Sequence, residues 1–210
     1  MKNILLILFL FTATLGSSQK LADLKYYGKD YFLLEGTEIA DSLKENRYDR
    51  LPISLKNIVR KPVWNLSKSS AGMSIRFLSN TSTISVKWTV LNNNKMNHMP
   101  ETGIKGVDLY FNNNGNFQYL NTALPSGIEN EFMLMQNMSN EMREFKMFLP
   151  LYDGVISIEV GIDSNSQIKK PSKNNSKPII FYGTSITQGC CASRPGMAHT
   201  NIISRIIPQS

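Results

Sequence analysis

The strongest constraint on this chain is a series of short segments in which large apolar and polar residues alternate. Gly72-Met-Ser-Ile-Arg-Phe-Leu78 and Thr83-Ile-Ser-Val-Lys-Trp-Thr-Val90 are the clearest. Side chains on a strand point to opposite faces in turn. This period therefore puts Met73, Ile75 and Phe77 on one face, and Ile84, Val86 and Trp88 likewise. Asn80-Thr-Ser between them reads as a turn. Residues 107–111, 117–120, 145–149 and 155–162 continue the pattern, with 112–116 as a hairpin turn and 150–154 as a connection. Val63-Trp-Asn-Leu66 reads as a further strand, 25–28 and 31–36 as edge segments, and 92–105 as a long loop. Helical period is almost absent over residues 19–162. The expected fold is thus mainly β, an antiparallel β-sandwich. A jelly roll is the favoured form, although periodicity alone carries only the sandwich.

After this the pattern changes. Residues 163–177, rich in Ser, Asn, Lys and Pro, read as a linker. Residues 178–210 then read as strand, turn and helix, the first unit of an α/β domain. The apolar run Ile179-Ile-Phe-Tyr182 is the expected buried strand, and the helix is expected over 197–207. Between them lies Gly183-Thr-Ser-Ile-Thr-Gln-Gly189. A serine at the carboxyl edge of a parallel strand sits where α/β folds place ligands. The helix start that follows offers N–H groups and partial positive charge to an oxyanion. The competing reading is a plain Ser/Thr turn capping a helix. Three other glycine motifs fail. The spacing is wrong for a P-loop, the dinucleotide fingerprint is absent, and Thr187 stands where a nucleophile elbow requires glycine.

Composition narrows the setting. A net charge of +7 comes from scattered lysines without a basic helix, which speaks against nucleic acid as a partner. Met1-Lys-Asn3 followed by an apolar core through Leu15 has the form of a signal peptide over residues 1–18, cleaved before Gln19. That core is short for a membrane span, and the expectation is an exported (secreted or periplasmic) protein with none. The only cysteines, Cys190 and Cys191, are adjacent. A disulfide between neighbours is strained, so they read as small apolar residues packed near the turn.

Several residues could carry chemistry. Asp108 and Asp153 are either ligands for a metal or sugar, or carboxylates bonding turn amides, and the second is preferred. Met96, His98 and Met99 could form a soft copper site, but with no further soft ligand nearby in sequence a methionine-packed loop is preferred. Trp64, Trp88 and the tyrosines could stack on a sugar, although alternation puts Trp88 in the core. A serine hydrolase needs a base, and the chain has only His98 and His199. Neither is well placed in sequence.

Phe181-Tyr-Gly-Thr-Ser-Ile-Thr-Gln-Gly189, continuing through Ala192-Ser-Arg-Pro-Gly196, resembles the first conserved block of the SGNH (GDSL-type) hydrolases. The resemblance is to a secreted bacterial subgroup with Thr-Ser-Ile in place of Asp-Ser. Tyr48-Asp-Arg-Leu-Pro52, Ser70–Phe77, Met96-Asn-His-Met99, Leu149–Val155 and above all Gly106-Val-Asp-Leu-Tyr110 are similar to that subgroup's N-terminal domain, whose hallmark is Gly-x-Asp-Leu-Tyr. The resemblance implies Ser185 as nucleophile, with Gly183, Thr184, Ile186 and Gly189 supporting the turn and oxyanion. It implies an ester-bearing, possibly carbohydrate-linked substrate, and no cofactor or metal. The family's Asp-x-x-His base and later glycine and asparagine oxyanion blocks are not found in this sequence. The expectation is a chain truncated after the first catalytic block and inactive by itself. The alternative is a non-catalytic sandwich that binds carbohydrate or packs against another domain.

Overall fold

The computed structural model describes residues 23–174 and 176–207. The expected signal peptide, 1–18, lies outside the described residues. Among the described residues ten strands form: β1 (Leu24–Tyr27), β2 (Leu33–Glu35), β3 (Ser74–Ser79), β4 (Ile84–Val90), β5 (Val107–Asn113), β6 (Asn116–Ala123), β7 (Glu129–Met135), β8 (Arg143–Phe148), β9 (Val155–Asp163) and β10 (Ile168–Lys169). One sheet has the order β1-β9-β4-β7, the other β10-β3-β8-β5-β6, with β2 also on β3. Every pairing is antiparallel. The eight longer strands mostly pass from sheet to sheet along the chain, and the first of them, β1, lies beside the last, β9. This is the jelly-roll arrangement.

The alternating residues close the sandwich as their period requires. Met73, Ile75 and Phe77 from β3 and its approach meet Ile84, Val86 and Trp88 from β4 in one continuous core. Phe77 stacks on Phe145 at 5.3 Å between centroids. The Trp88 indole N–H is not left bare, since it donates to the Lys105 carbonyl at 2.9 Å. Such a donor would otherwise cost free energy in an apolar interior.

Three expectations change. Val63–Leu66 is not a strand but part of helix α1 (Lys61–Leu66), with Pro62 in its first turn. Four residues cannot separate a period of 2 from one of 3.6, and proline in the first turn favours the helix. Within the loop 92–105, residues after Pro100 form α2 (Glu101–Lys105). The linker is shorter than 163–177. Asp163 ends β9, and Ile168 enters the sandwich core as β10 pairs with β3. The composition of that stretch hid a single buried isoleucine.

Among the described residues, no helix is long and apolar enough to cross a membrane.

Candidate active site: a serine turn docked on the sandwich

The serine turn is built from short-range geometry. Thr184 is extended, and Ser185 opens the single-turn helix α3 (Ser185–Gln188). The Gln188 N–H donates to the Thr184 carbonyl at 3.1 Å, and Gly189 N–H to that of Ile186 at 3.1 Å. Gly189 ends the turn at φ +102°, where a β-carbon would also stand 2.8 Å from the Ala198 methyl. Only glycine meets both demands cheaply. The N–H groups of Ser185, Ile186 and Thr187 open the helix and so have no acceptor within it. The Ser185 side chain is exposed, and among the described residues no side chain hydrogen-bonds to its Oγ.

Residues 179–182 do not form the expected buried strand. Tyr182 is fully exposed and Ile180 is 85% exposed. They pair with no strand among the described residues. A parallel strand is stable only with neighbours and cover on both faces. Gly183 and Ile186 are exposed as well.

What holds the turn is the sandwich. Gln188 Nε2 donates to the Leu151 carbonyl at 2.9 Å, and its Oε1 accepts from Arg50 at 3.2 Å. The Tyr152 hydroxyl donates to the Ser185 carbonyl at 3.0 Å. Burial, helped by the neighbouring Cys190, pushes the Tyr152 phenol up to about 12, so it stays a proton donor at any ordinary pH.

The second attachment uses the Gly106-Val-Asp-Leu-Tyr110 motif. Val107 and Leu109 point into the sandwich core. Alternation turns Asp108 and Tyr110 to the outer face of β5, yet both are buried there. The segment Arg194-Pro-Gly196 covers them. Asp108 Oδ2 accepts Arg194 Nη1 at 2.7 Å and the Gly196 N–H at 2.7 Å, while Oδ1 accepts the Thr122 hydroxyl at 2.7 Å. Arg194 also donates to the Tyr110 hydroxyl and lies 3.9 Å over the Tyr119 ring. Arg205, on α4 (His199–Ile206), stacks at 4.4 Å on Tyr110 and donates to the Gly196 carbonyl at 2.8 Å. Burial raises the Asp108 carboxyl above the ordinary aspartate range, opposed by the three hydrogen bonds and the Arg194 charge.

Asp108 is therefore a structural carboxylate, as preferred from sequence. So is Asp153, which accepts the N–H groups of Asn92, Asn94 and Gly154 at 3.0, 2.9 and 2.8 Å. Trp64 and Trp88 are buried, so neither offers a face to a sugar. His199 makes an edge contact with Phe181, 6.2 Å between centroids, and no hydrogen bond to Ser185. The cysteines are not packed apolar residues. Cys191 is exposed and Cys190 half-buried, and His98 lies beside both.

Sequence reasoning missed Arg194, Tyr152 and Gln188 as docking residues. The Arg-Pro-Gly string was visible, but its partner stands 86 residues earlier in the chain.

A jelly-roll sandwich that holds a serine turn and anchors the segment after it with its own Gly-x-Asp-Leu-Tyr motif defines a particular class of protein. The chain belongs to the family described as the N-terminus of SGNH-hydrolase-type esterases, whose profile matches residues 24–168. Residues 176–210 match the GDSL-like lipase/acylhydrolase family. Among solved structures, the chain is similar to a GDSL-like lipase from Bacteroides ovatus, with 33% identity and a TM-score of 0.81. That likeness covers 87% of this chain and 53% of the other, so the chain spans about half the length of its relative. The salicylyl-acyltransferase SsfX3 from a tetracycline biosynthetic pathway shares the fold, with 15% identity, a TM-score of 0.64, and coverage of 87% and 51%. No curated protein matches the chain in sequence.

Proposed function

We propose that this chain supplies the N-terminal sandwich and the nucleophile turn of an exported SGNH-type serine esterase, with Ser185 as the nucleophile. In this reading the sandwich runs from β1 to β10, residues 24–169, and the hydrolase part begins near 178. The observation that carries this reading is the attachment of the Arg194–Gly196 segment to the family's signature residues, Asp108 and Tyr110, beside the bond from Tyr152 to the Ser185 turn. A sandwich that only bound a ligand would have no need to bury its signature carboxylate under the serine segment.

The chemistry is acyl transfer. Ser185 Oγ attacks the ester carbonyl carbon, its proton passes to a general base, and the alcohol leaves with a proton to give an acyl-serine. Water then hydrolyses that ester and restores the hydroxyl. The N–H groups opening α3 are candidates to receive the carbonyl oxygen as it gains charge, together with Gly183 and Thr184 before them. By resemblance to the family, the base belongs to an Asp-x-x-His block that this sequence does not contain. The substrate class proposed is an acyl or acetyl ester of a carbohydrate, on family resemblance alone. The sandwich itself acts as a packing module that positions the turn.

The test is fluorophosphonate labelling of the protein expressed from the complete reading frame, followed by peptide mass analysis. The label is expected on Ser185, and Ser185→Ala should abolish both labelling and aryl acetate hydrolysis. Activity surviving that substitution would overturn the assignment. The 210-residue chain by itself is expected to show negligible hydrolysis.

A further inference from the structure

The tertiary structure brings His98 to the adjacent pair Cys190 and Cys191, from which it is far apart in sequence. The ligand atoms of His98, Cys190 and Cys191 all lie within 4.8 Å of one another. The two thiols are 3.4 Å apart and reduced. Two thiolates on one tetrahedral ion, with metal–sulfur bonds of about 2.3 Å, stand roughly 3.8 Å apart, so closing on an ion needs only a small adjustment. Cys191 takes a left-handed backbone, φ +65°, which residues with a β-carbon rarely adopt. In this conformation the neighbouring thiols face each other.

The other side of the cluster is equally well held. Met96 and Met99 bridge as an antiparallel pair, so His98 is presented at the tip of a tight hairpin. Met99 is buried with Ile104, Leu151, Ala198 and partly buried Ala192, one small core shared by the hairpin and the serine segment. His98 Nδ1 sits 3.0 Å from Asn97 Oδ1, an acceptor of the kind that orients a metal-bound imidazole and leaves Nε2 as the ligand. Two thiols and one imidazole form a donor set that selects thiophilic d10 cations over hard ones.

We propose that His98, Cys190 and Cys191 form a binding site for one thiophilic d10 cation, Zn2+ or Cu+, which staples the 96–99 hairpin to the serine segment. Binding converts both thiols to thiolates and releases their protons to solvent, with no change in oxidation state. The fourth position stays open, because His98 and Cys191 are exposed. The site stands apart from the role of Ser185 and holds whether or not that serine is a nucleophile. It is nevertheless adjacent, since the Cys190 N–H donates to the Ser185 carbonyl at 2.9 Å.

The test uses the purified chain, reduced with a phosphine under anaerobic conditions. It is titrated with Zn2+ against a chromophoric chelator, and with Cu+ against a copper(I) chelator. One equivalent of at least one ion is expected to bind, and the tighter arm identifies it. His98→Gln, Cys190→Ser and Cys191→Ser should each weaken binding by at least about tenfold, the loss that even indirect ligand partners produce. His199→Gln should leave it unchanged. All four residues are at the surface or half-buried, so equal thermal midpoints of the metal-free variants will show that folding is intact. Failure of both ions to bind would overturn the proposal. So would binding that is insensitive to His98→Gln.

Discussion

Asp108 and Arg194 are joined at 2.7 Å although 86 residues separate them. The carboxylate is fully buried on β5, whereas the guanidinium side chain keeps 22% of its surface exposed. This ion pair is where the sandwich and the serine segment become one structure. A buried pair contributes little against well-packed apolar residues, but removing one partner strands the other.

Asp108→Ala leaves Arg194, the Gly196 N–H and the Thr122 hydroxyl without their common acceptor. The expected cost is about 3 kcal/mol in denaturant unfolding. Limited proteolysis should also begin to cut at Arg194 or Arg205 while the sandwich core resists.

Gly196→Ala places a β-carbon 2.2 Å from the Tyr110 hydroxyl and 2.8 Å from Asp108 Oδ2. Something must move, and overpacking of this kind costs about 1–3 kcal/mol. The thermal midpoint should fall. Combined with Asp108→Ala, the two losses should be less than additive because the sites share partners.

Phe77→Ala removes a ring stacked on Phe145 at the centre of the sandwich, where both are fully buried. A loss of about 3–5 kcal/mol is expected from urea unfolding. A change under 1 kcal/mol would mean that the core packs differently.

Asp163 Oδ2 receives the Thr81 and Ser82 hydroxyls and the Ser82 and Thr83 N–H groups at 2.8–3.1 Å. Burial pushes its carboxyl up, but these bonds outweigh burial and hold it below the ordinary aspartate range. A depressed folded value means stability that is full above the unfolded value of about 3.9 and is lost as pH falls through the folded one. The stability gap between the parent and Asp163→Asn should therefore be constant at neutral pH and shrink below about pH 4. A gap independent of pH would show that the charge is unimportant.

Ser185→Ala touches no packed contact, because the side chain is exposed. Its unfolding free energy should stay within about 0.5 kcal/mol of the parent. A larger loss would give the hydroxyl a structural role.

The alternation of β3 and β4 was legible in the sequence because strand period is local, and the core faces of Met73–Phe77 and Ile84–Trp88 follow from it. The same locality explains the failures. Val63–Leu66 was too short for its period to be read, and Ile179–Tyr182 has strand composition without a strand partner among the described residues. The serine turn was legible as a Gly-x-Ser segment ended by a glycine, since a left-handed turn end is also a local demand. What holds that turn was not. The Asp108–Arg194 pair, the Tyr152 bond to Ser185 and the meeting of His98 with Cys190 and Cys191 each join residues dozens of positions apart. Such pairs leave no period or spacing to read. They arise only when the jelly roll brings its β5 face, its 96–99 hairpin and its β8–β9 connection to one end. The sequence by itself determined the sandwich and pointed to Ser185. Only the tertiary structure decided that the Gly-x-Asp-Leu-Tyr signature faces that serine's segment and fastens it in place.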